Sequence, residues 1–333
     1  MYNDQYGLTG RPFQLTPDPR FWFESATHRK AMAYLGYGLD QGEGFIVITG
    51  EIGAGKTTLV GHLLAKIDPA RIKTATIVST HVDHEQILRL VCRSFGLETA
   101  GVDKAHMLSE IEAMLHANAR GGLGTLLIVD EAQNLSVESL EELRMLSNYQ
   151  IGGKSTLQIL LLGQPEFGGK IQSPMLEQLR QRVIATHHLL PMQVDEISPY
   201  IRHRMALVGW NGNPEISDDA AAAIFKHSGG IPRKVNMLVN RALLLGSMEK
   251  ASIIDAAMVE AVVADMDTEA PQIASEPMQF ASDSTAFDMA ARVAMLEVQF
   301  AEQDAALRRV LSILINWVEE DRQSGVAARS ARF

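Results

Sequence analysis

Apolar positions follow two rhythms along this chain, and the switch between them divides it. From Phe45 to Pro191 short continuous apolar runs alternate with segments of helical period. The runs are Phe45–Thr49 (FIVIT), Thr74–Thr80 (TATIVST), Thr125–Val129 (TLLIV), Leu157–Leu162 and His187–Leu190. Runs this short and this apolar predict strands buried on both faces. Between them, His84–Phe95, Lys104–Asn118, Ser136–Asn148 and Met175–Arg182 predict helices, the third with a Ser136 N-cap and Glu138 in its first turn. Buried strands separated by helices predict an α/β fold, a five-stranded parallel sheet covered on both sides. After Pro191 the strand rhythm stops. Val194–Val208, Asp218–His227, Pro232–Met248 and Asp255–Asp265 predict an all-α bundle.

The flanks differ from both. Residues 1–26 read as a loop-rich leader carrying Pro12, Pro17 and Pro19 with Phe13, Phe21, Trp22 and Phe23. A helix over Thr27–Asp40 follows, with Thr27 as its N-cap, and Gly42 and Gly44 end it. The resulting division is leader and helix 1–44, sheet core 45–191, helical lid 192–266, linker 267–286 and terminal helix 287–321. Pro271, Pro277 and many Ser and Asp residues mark the linker. Met289, Val293, Leu296, Phe300, Gln303, Leu307, Val310, Leu314 and Trp317 space a heptad seam with one polar interruption. That seam reads either as a coiled coil or partner helix, or as an amphipathic helix packed back on the core. There is no internal repeat of 20–50 residues.

Composition narrows the classes. The chain has 333 residues, 46% hydrophobic and 21% charged, enough for a sizeable core. Lys and Arg number 30 against 40 Asp and Glu, a net charge of −10, which makes nucleic acid an unfavoured partner. The single cysteine, Cys92, excludes an internal disulfide and reads as a small buried hydrophobe. No secretory signal opens the chain, and no stretch approaches the roughly 18 apolar residues that cross a bilayer. The expectation is a cytoplasmic protein, or one peripheral at the inner membrane, that touches membrane only through partners.

The chemistry begins after the first strand. Gly50-Glu51-Ile52-Gly53-Ala54-Gly55-Lys56-Thr57-Thr58 matches G-x-x-x-x-G-K-[ST] with a strand before and a helix after. The glycines let backbone N–H groups turn towards a phosphate, and the helix N-terminus adds positive partial charge. Lys56 reaches the β- and γ-phosphates, and the Thr57 hydroxyl ligates Mg²⁺. About 75 residues on, the third strand closes on Asp130-Glu131, the Walker B pattern. Asp130 would hold Mg²⁺ through water, and Glu131 would polarise the attacking water. Gln164, at the tip of the fourth strand, is the candidate sensor of the γ-phosphate. Leu179-Arg180-Gln181-Arg182-Val183 precedes the fifth strand, and Arg182, in preference to Arg180, is the candidate finger reaching a neighbouring subunit's phosphate. Gly229-Gly230-Ile231-Pro232-Arg233 opens a lid helix that aims Arg233 back at the nucleotide.

In this order GEIGAGKTT, LLIVDEAQNL, LLLGQPE, LRQRV and GGIPRKVN resemble the AAA+ ATPases of the general-secretion-pathway A (ExeA-like) type. The leader PFQLTPDPRFWFESATHRKAMAYLGYGLDQGEGF is similar to the subgroup at PEP-CTERM/exosortase (XrtA) loci. The resemblance covers about residues 1–265. It implies a P-loop core of the AAA+/ASCE type with strand order 5-1-4-3-2 and an all-α lid. It implies ATP and Mg²⁺ as cofactors, a homo-oligomer, and an inner-membrane secretion or polysaccharide-export protein as partner. Adenine over guanine also comes from the resemblance. Members often continue into a transmembrane helix and a periplasmic peptidoglycan-binding portion, and this sequence shows neither.

Two other readings compete. A DNA-associated ATPase of the transposition-accessory type shares the motif order, with Lys226, Arg233, Lys234 and Arg241 as its basic cluster. A scaffold that binds ATP without turnover has no use for Glu131. The pairs His81/His84 and His187/His188 lack metal-ligand spacing and read as structural. Arg144 and Asn148 read either as subunit-interface residues or as a solvated helix face. Phe13, Phe21 and Tyr34 read as adenine-pocket walls or as core.

Overall fold

Five parallel strands, β1 (Phe45–Gly50), β2 (Ile72–Val78), β3 (Gly124–Asp130), β4 (Gln158–Gly163) and β5 (Val183–Leu189), pair in the order β2-β3-β4-β1-β5. This computed structural model describes residues 2–14, 16, 18–78 and 84–269. The heptad seam and nearly all of the expected linker lie outside the described residues, as do Pro17, Thr80 and His81. The strand order is the one the resemblance implied.

Strand composition follows position in the sheet. Every residue of the central strands β1 and β4 is buried, whereas edge strand β5 alternates and carries His187 and His188. Successive side chains of a strand point to opposite faces. Phe45, Val47, Leu127, Val129, Ile159 and Leu161 therefore meet one layer, α4 (His84–Ser94), α5 (Lys104–Arg120) and α6 (Val137–Leu146). Ile46, Ile48, Leu126, Ile128, Leu160 and Leu162 meet α2 (Ala26–Gln41) and α3 (Lys56–Lys66) on the other. Cys92 is fully buried in the first layer.

Several boundaries differ from the sequence reading. β2 starts two residues early and stops at Val78, and β5 starts at Val183 rather than His187. The Val183-Ile184 start was hidden by its polar neighbours Gln181 and Arg182. Helix α2 is capped by Ser25, whose hydroxyl accepts from His28 N, not by Thr27, whose hydroxyl accepts from Leu190 N at 3.0 Å. The segment Met175–Arg182 is a 3-10 turn over Pro174–Leu176 and one turn of α8 (Glu177–Arg180). A helix absent from the sequence reading, α7 (Pro165–Ile171), follows β4, with Pro165 in its first turn and Gly168-Gly169 masking its period.

The lid is α9 (Val194–Ala206), α10 (Asp218–Ser228), α11 (Pro232–Glu249) and α12 (Ala256–Glu269). Helix α12 runs past the expected end at 265, because no Gly or Pro stops it before Pro271. The leader is not merely loop. Its helix α1 (Tyr2–Tyr6) packs on α11, where Tyr2 donates to Asn240 Oδ1 at 2.8 Å, and Tyr6 donates to Ala251 O just past that helix at 3.2 Å. Tyr2, Tyr6, Leu8, Phe13 and Phe21 share one core with Ile197, Val239 and Leu243 of the lid. Further on, Trp22 stacks on His62 of α3, centroids 4.2 Å apart and planes 6° apart. The leader thus straps the lid to the sheet layer.

Candidate nucleotide site

The strap, the lid and the tips of β1 and β3 enclose a cleft of about 360 Å³, within the usual range for a small-molecule site. Gly53, Gly55, Lys56, Thr57, Thr58 and Glu131 line it from the sheet. The loop from Gly50 to Lys56 depends on two glycines. Gly53 has φ 85° and Gly55 φ 99°, where side chains are disfavoured. A Cβ on Gly53 would come 2.4 Å from Arg233 Cβ, and one on Gly55 2.8 Å from His28 Nε2. The loop is therefore clasped between α11 and α2. Glu51 and Ile52 are exposed and Ala54 is buried.

Lys56 is buried, and its Nζ donates to Gly50 O at 2.6 Å and Glu51 O at 3.1 Å. Burial lowers its pKa, opposed by the carboxylates of Glu131, Asp130, Glu51 and Glu166. His28, one helical turn into α2, takes up the same loop from below. Its Nδ1 is 2.7 Å from Ser25 Oγ, and it bonds the Ala54 backbone. Burial drops its pKa from 6.5 to about 4, so the ring is neutral.

At the tip of β3, Asp130 Oδ2 accepts from Thr57 Oγ1 at 3.2 Å and Oδ1 from Glu131 N at 2.9 Å. Burial raises the Asp130 carboxyl above its ordinary value. One carboxylate and one hydroxyl side by side, next to a phosphate cradle, fit Mg²⁺, which takes few protein oxygens and keeps waters and substrate oxygens. Glu131 has φ 54° and ψ 41°, a left-handed conformation that is uncommon and costly for a residue with a side chain. Its Oε2 accepts from Gln133 Nε2 and, at 3.2 Å, from Gln164 Nε2. Gln133 Oε1 in turn accepts from Gln164 N at 3.1 Å. Gln164 therefore meets Glu131, and Gln133 is a brace that the sequence reading passed over, although it stands within LLIVDEAQNL.

The arginines separate. Arg233 is exposed on the first turn of α11, lines the cleft, and donates its backbone N–H to Gly53 O at 3.2 Å. Arg182 O accepts from Phe45 N at 2.9 Å, placing Arg182 at the start of β1, roughly 17 Å along the strand from Gly50. Its Nη1 donates to Ser147 Oγ at 3.2 Å. Arg180 is exposed, pairs with Glu177 and reaches Gln172 Oε1 at 3.4 Å. Neither Arg180 nor Arg182 lines this chain's own cleft.

Of the aromatic candidates, Phe21 lines the cleft. Phe13 is buried in the lid core, and Tyr34 stacks on His187 at 5.3 Å. Trp22, Phe23 and Tyr200 line the cleft as well. Elsewhere, Lys226 pairs with Glu260 at 2.9 Å, while Arg233 lines the cleft. Arg144 pairs with Glu141 at 2.7 Å. His188 Nδ1 is 2.9 Å from Thr49 Oγ1, and no group of three or more His, Cys, Asp or Glu able to hold a metal occurs among the described residues. No described helix is long and apolar enough to cross a membrane.

A family model described as AAA domain matches residues 39–171. General secretion pathway protein A of Aeromonas hydrophila is 37% identical over 247 residues, 73% of this chain and 44% of that protein. The chain thus spans less than half of that relative's length. Among solved structures, Cdc6p from Pyrobaculum aerophilum has TM-score 0.60 at 16% identity, covering 76% of this chain and 70% of that one. The ADP form of the Aeropyrum pernix ORC2 protein has TM-score 0.58 at 17% identity, covering 77% and 72%. At these identities the likeness concerns the fold. The chain carries an AAA+ P-loop fold and is related to general secretion pathway protein A.

Proposed function

We propose that this chain is a Mg²⁺-dependent ATP hydrolase that works as a homo-oligomer and serves an inner-membrane secretion or polysaccharide-export partner. The observation that carries the hydrolytic reading is Glu131. A carboxylate in strained backbone, held by two amides beside a buried Asp–Thr pair, is what a water-activating base at a phosphate site needs. The loop amides, the start of α3 and Lys56 neutralise the phosphates. Thr57 and Asp130 would hold Mg²⁺, which would draw charge off the phosphate oxygens. Glu131 orients the attacking water and takes its proton, while Gln133 and Gln164 fix the carboxylate. Arg233 steadies the γ-phosphate from the lid. Arg182, remote from its own cleft, serves the neighbouring subunit's, which requires at least a dimer. In this scheme residues 45–191 are the hydrolytic core and 192–266 the lid.

The identity to general secretion pathway protein A supports the secretion-linked role, and the leader's resemblance supports the exosortase-locus subgroup. Phosphate release measured against protein concentration tests the reading. The rate per subunit should rise with concentration in the wild type, stay at the low-concentration level in Arg182→Ala, and vanish in Lys56→Ala. A rate per subunit independent of concentration would remove the trans arginine. Absence of turnover at every concentration, with ATP bound, would leave the scaffold reading.

A further inference from the structure

Along the lid wall of the cleft runs a hydrogen-bond chain, Arg204, Tyr200 and Asn236, that ends in an unmatched amide donor. Arg204 of α9 is buried, its guanidinium 4.7 Å from the Phe21 ring centroid. Its Nε donates to Pro12 O at 2.7 Å and its Nη1 to the Tyr200 hydroxyl at 2.9 Å. A guanidinium has no acceptor, so the Tyr200 oxygen must accept from it. The tyrosine proton then goes to Asn236 Oδ1, 2.7 Å away. Asn236 is 8% exposed and lines the cleft. Its Nδ2 has no hydrogen-bond partner among the described residues. Flipping the amide would set a donor against the tyrosine proton, so the chain Arg204–Tyr200–Asn236 dictates which end of the amide is left over.

Position indicates what that donor meets. Asn236 lies three residues beyond Arg233 on α11, on the same face and about 4.5 Å further along the axis. Arg233 touches Gly53 of the phosphate loop. Asn236 and Phe21 line the same cleft as that loop, so a nucleotide with its phosphates on the loop would have its nucleoside within reach of them.

We propose that Asn236 recognises the nucleoside half of the nucleotide by donating from Nδ2 to an acceptor there, a purine ring nitrogen or a ribose oxygen. Tyr200 and Arg204 are positioning residues that set the polarity of its amide. The proposal rests on the nucleotide reading above and adds the lid residue that reads the nucleoside.

The test is equilibrium binding to the full chain of ATP and of inorganic tripolyphosphate, which keeps only the phosphate contacts. Wild type, Asn236→Leu and Tyr200→Phe are compared. Asn236→Leu should bind ATP about tenfold more weakly and tripolyphosphate as before. Tyr200→Phe, which keeps the amide but frees it to turn, should show a smaller loss confined to ATP. If Asn236→Leu fails to fold, Asn236→Asp, which keeps the acceptor for Tyr200 and removes the Nδ2 donor, takes its place. Deaza analogues lacking one ring nitrogen each, and the 2′- and 3′-deoxy analogues, then name the acceptor. The informative analogue binds wild type weakly and suffers no further loss in the variant. Equal losses for ATP and tripolyphosphate, no loss for ATP, or wild-type binding of every analogue as tightly as ATP would overturn the proposal. If wild type binds tripolyphosphate as tightly as ATP, this proposal alone falls; if it binds neither, the nucleotide reading falls with it.

Discussion

The two walls of the cleft are assembled differently. The sheet wall comes from short contiguous stretches, Gly50–Thr58 and Asp130–Gln133, with Gln164 added from the next strand tip. Its charged groups are close neighbours: Thr57 bonds Asp130, and Glu131 follows immediately. The lid-and-leader wall is assembled across long separations. Arg204 bonds Pro12 from 192 positions away, and Tyr200 bonds Asn236 from 36. One wall is dictated by local backbone geometry at strand ends. The other exists only once a leader, two lid helices and the sheet have come together. The first concentrates carboxylates, a lysine and backbone amides, and the second offers rings with the amides of Gln14 and Asn236.

The contrast can be broken at its strongest point first. Lys56→Ala removes a buried cation from the sheet wall, and ATP affinity should fall by about 4 kcal/mol, several hundredfold. Arg233→Ala, on the exposed lid side, should weaken binding by about tenfold, a difference titration calorimetry resolves. Equal losses would mean that the walls share the phosphates equally.

Next comes the joint between the walls. His28 has a folded pKa of about 4 against 6.5 unfolded. Its contribution is present above pH 6.5 and is lost as pH falls towards 4, because the unfolded chain takes up the proton first. About 3 kcal/mol of stability should disappear across that window. His62 and His187 are shifted in the same direction and add to the slope. Thermal unfolding between pH 7 and 4 should show a steep fall in wild type and a shallower one in His28→Gln.

Smaller effects sharpen the sheet wall. Gln133→Leu removes one of the two amides on Glu131, and kcat should fall about tenfold with ATP affinity unchanged. A parallel loss of affinity would show that Gln133 supports the loop rather than the base. Asp130 carries a raised pKa, so its contribution to stability is full only below about pH 4 and is lost as pH rises. At neutral pH the buried charge is a cost, and Asp130→Asn without ligand should gain on the order of 1 kcal/mol, roughly 3 °C in Tm, while losing Mg²⁺-dependent turnover.

Legibility in the sequence followed the same division. Continuous apolar runs such as FIVIT and TLLIV announce central strands because both faces are covered, and the glycine-lysine loop between strand and helix needs nothing remote to be recognised. The edge was harder. Val183 and Ile184 start β5 beside Arg182, and a half-exposed strand carries little apolar signal. Helix α7 was hidden by Gly168-Gly169, whose propensity is overridden by Phe167 and Ile171 packing into the core. Phe13 and Tyr2 looked like leader residues because nothing local shows that they fill the lid core. Gln133 was in view but had no stated task until Glu131 was seen to point at it. Tyr200, Arg204 and Asn236 belong to different helices or turns, and no spacing rule joins them to Pro12.

The most direct test of the central claim compares Glu131→Gln with wild type in paired assays, ATP binding and phosphate release, at saturating Mg²⁺. The change removes the base and keeps the shape. The account predicts ATP affinity within about twofold of wild type and turnover lower by about 10³-fold. Turnover within a few-fold of wild type would show that another group activates the water, and the assignment of Glu131 would be wrong.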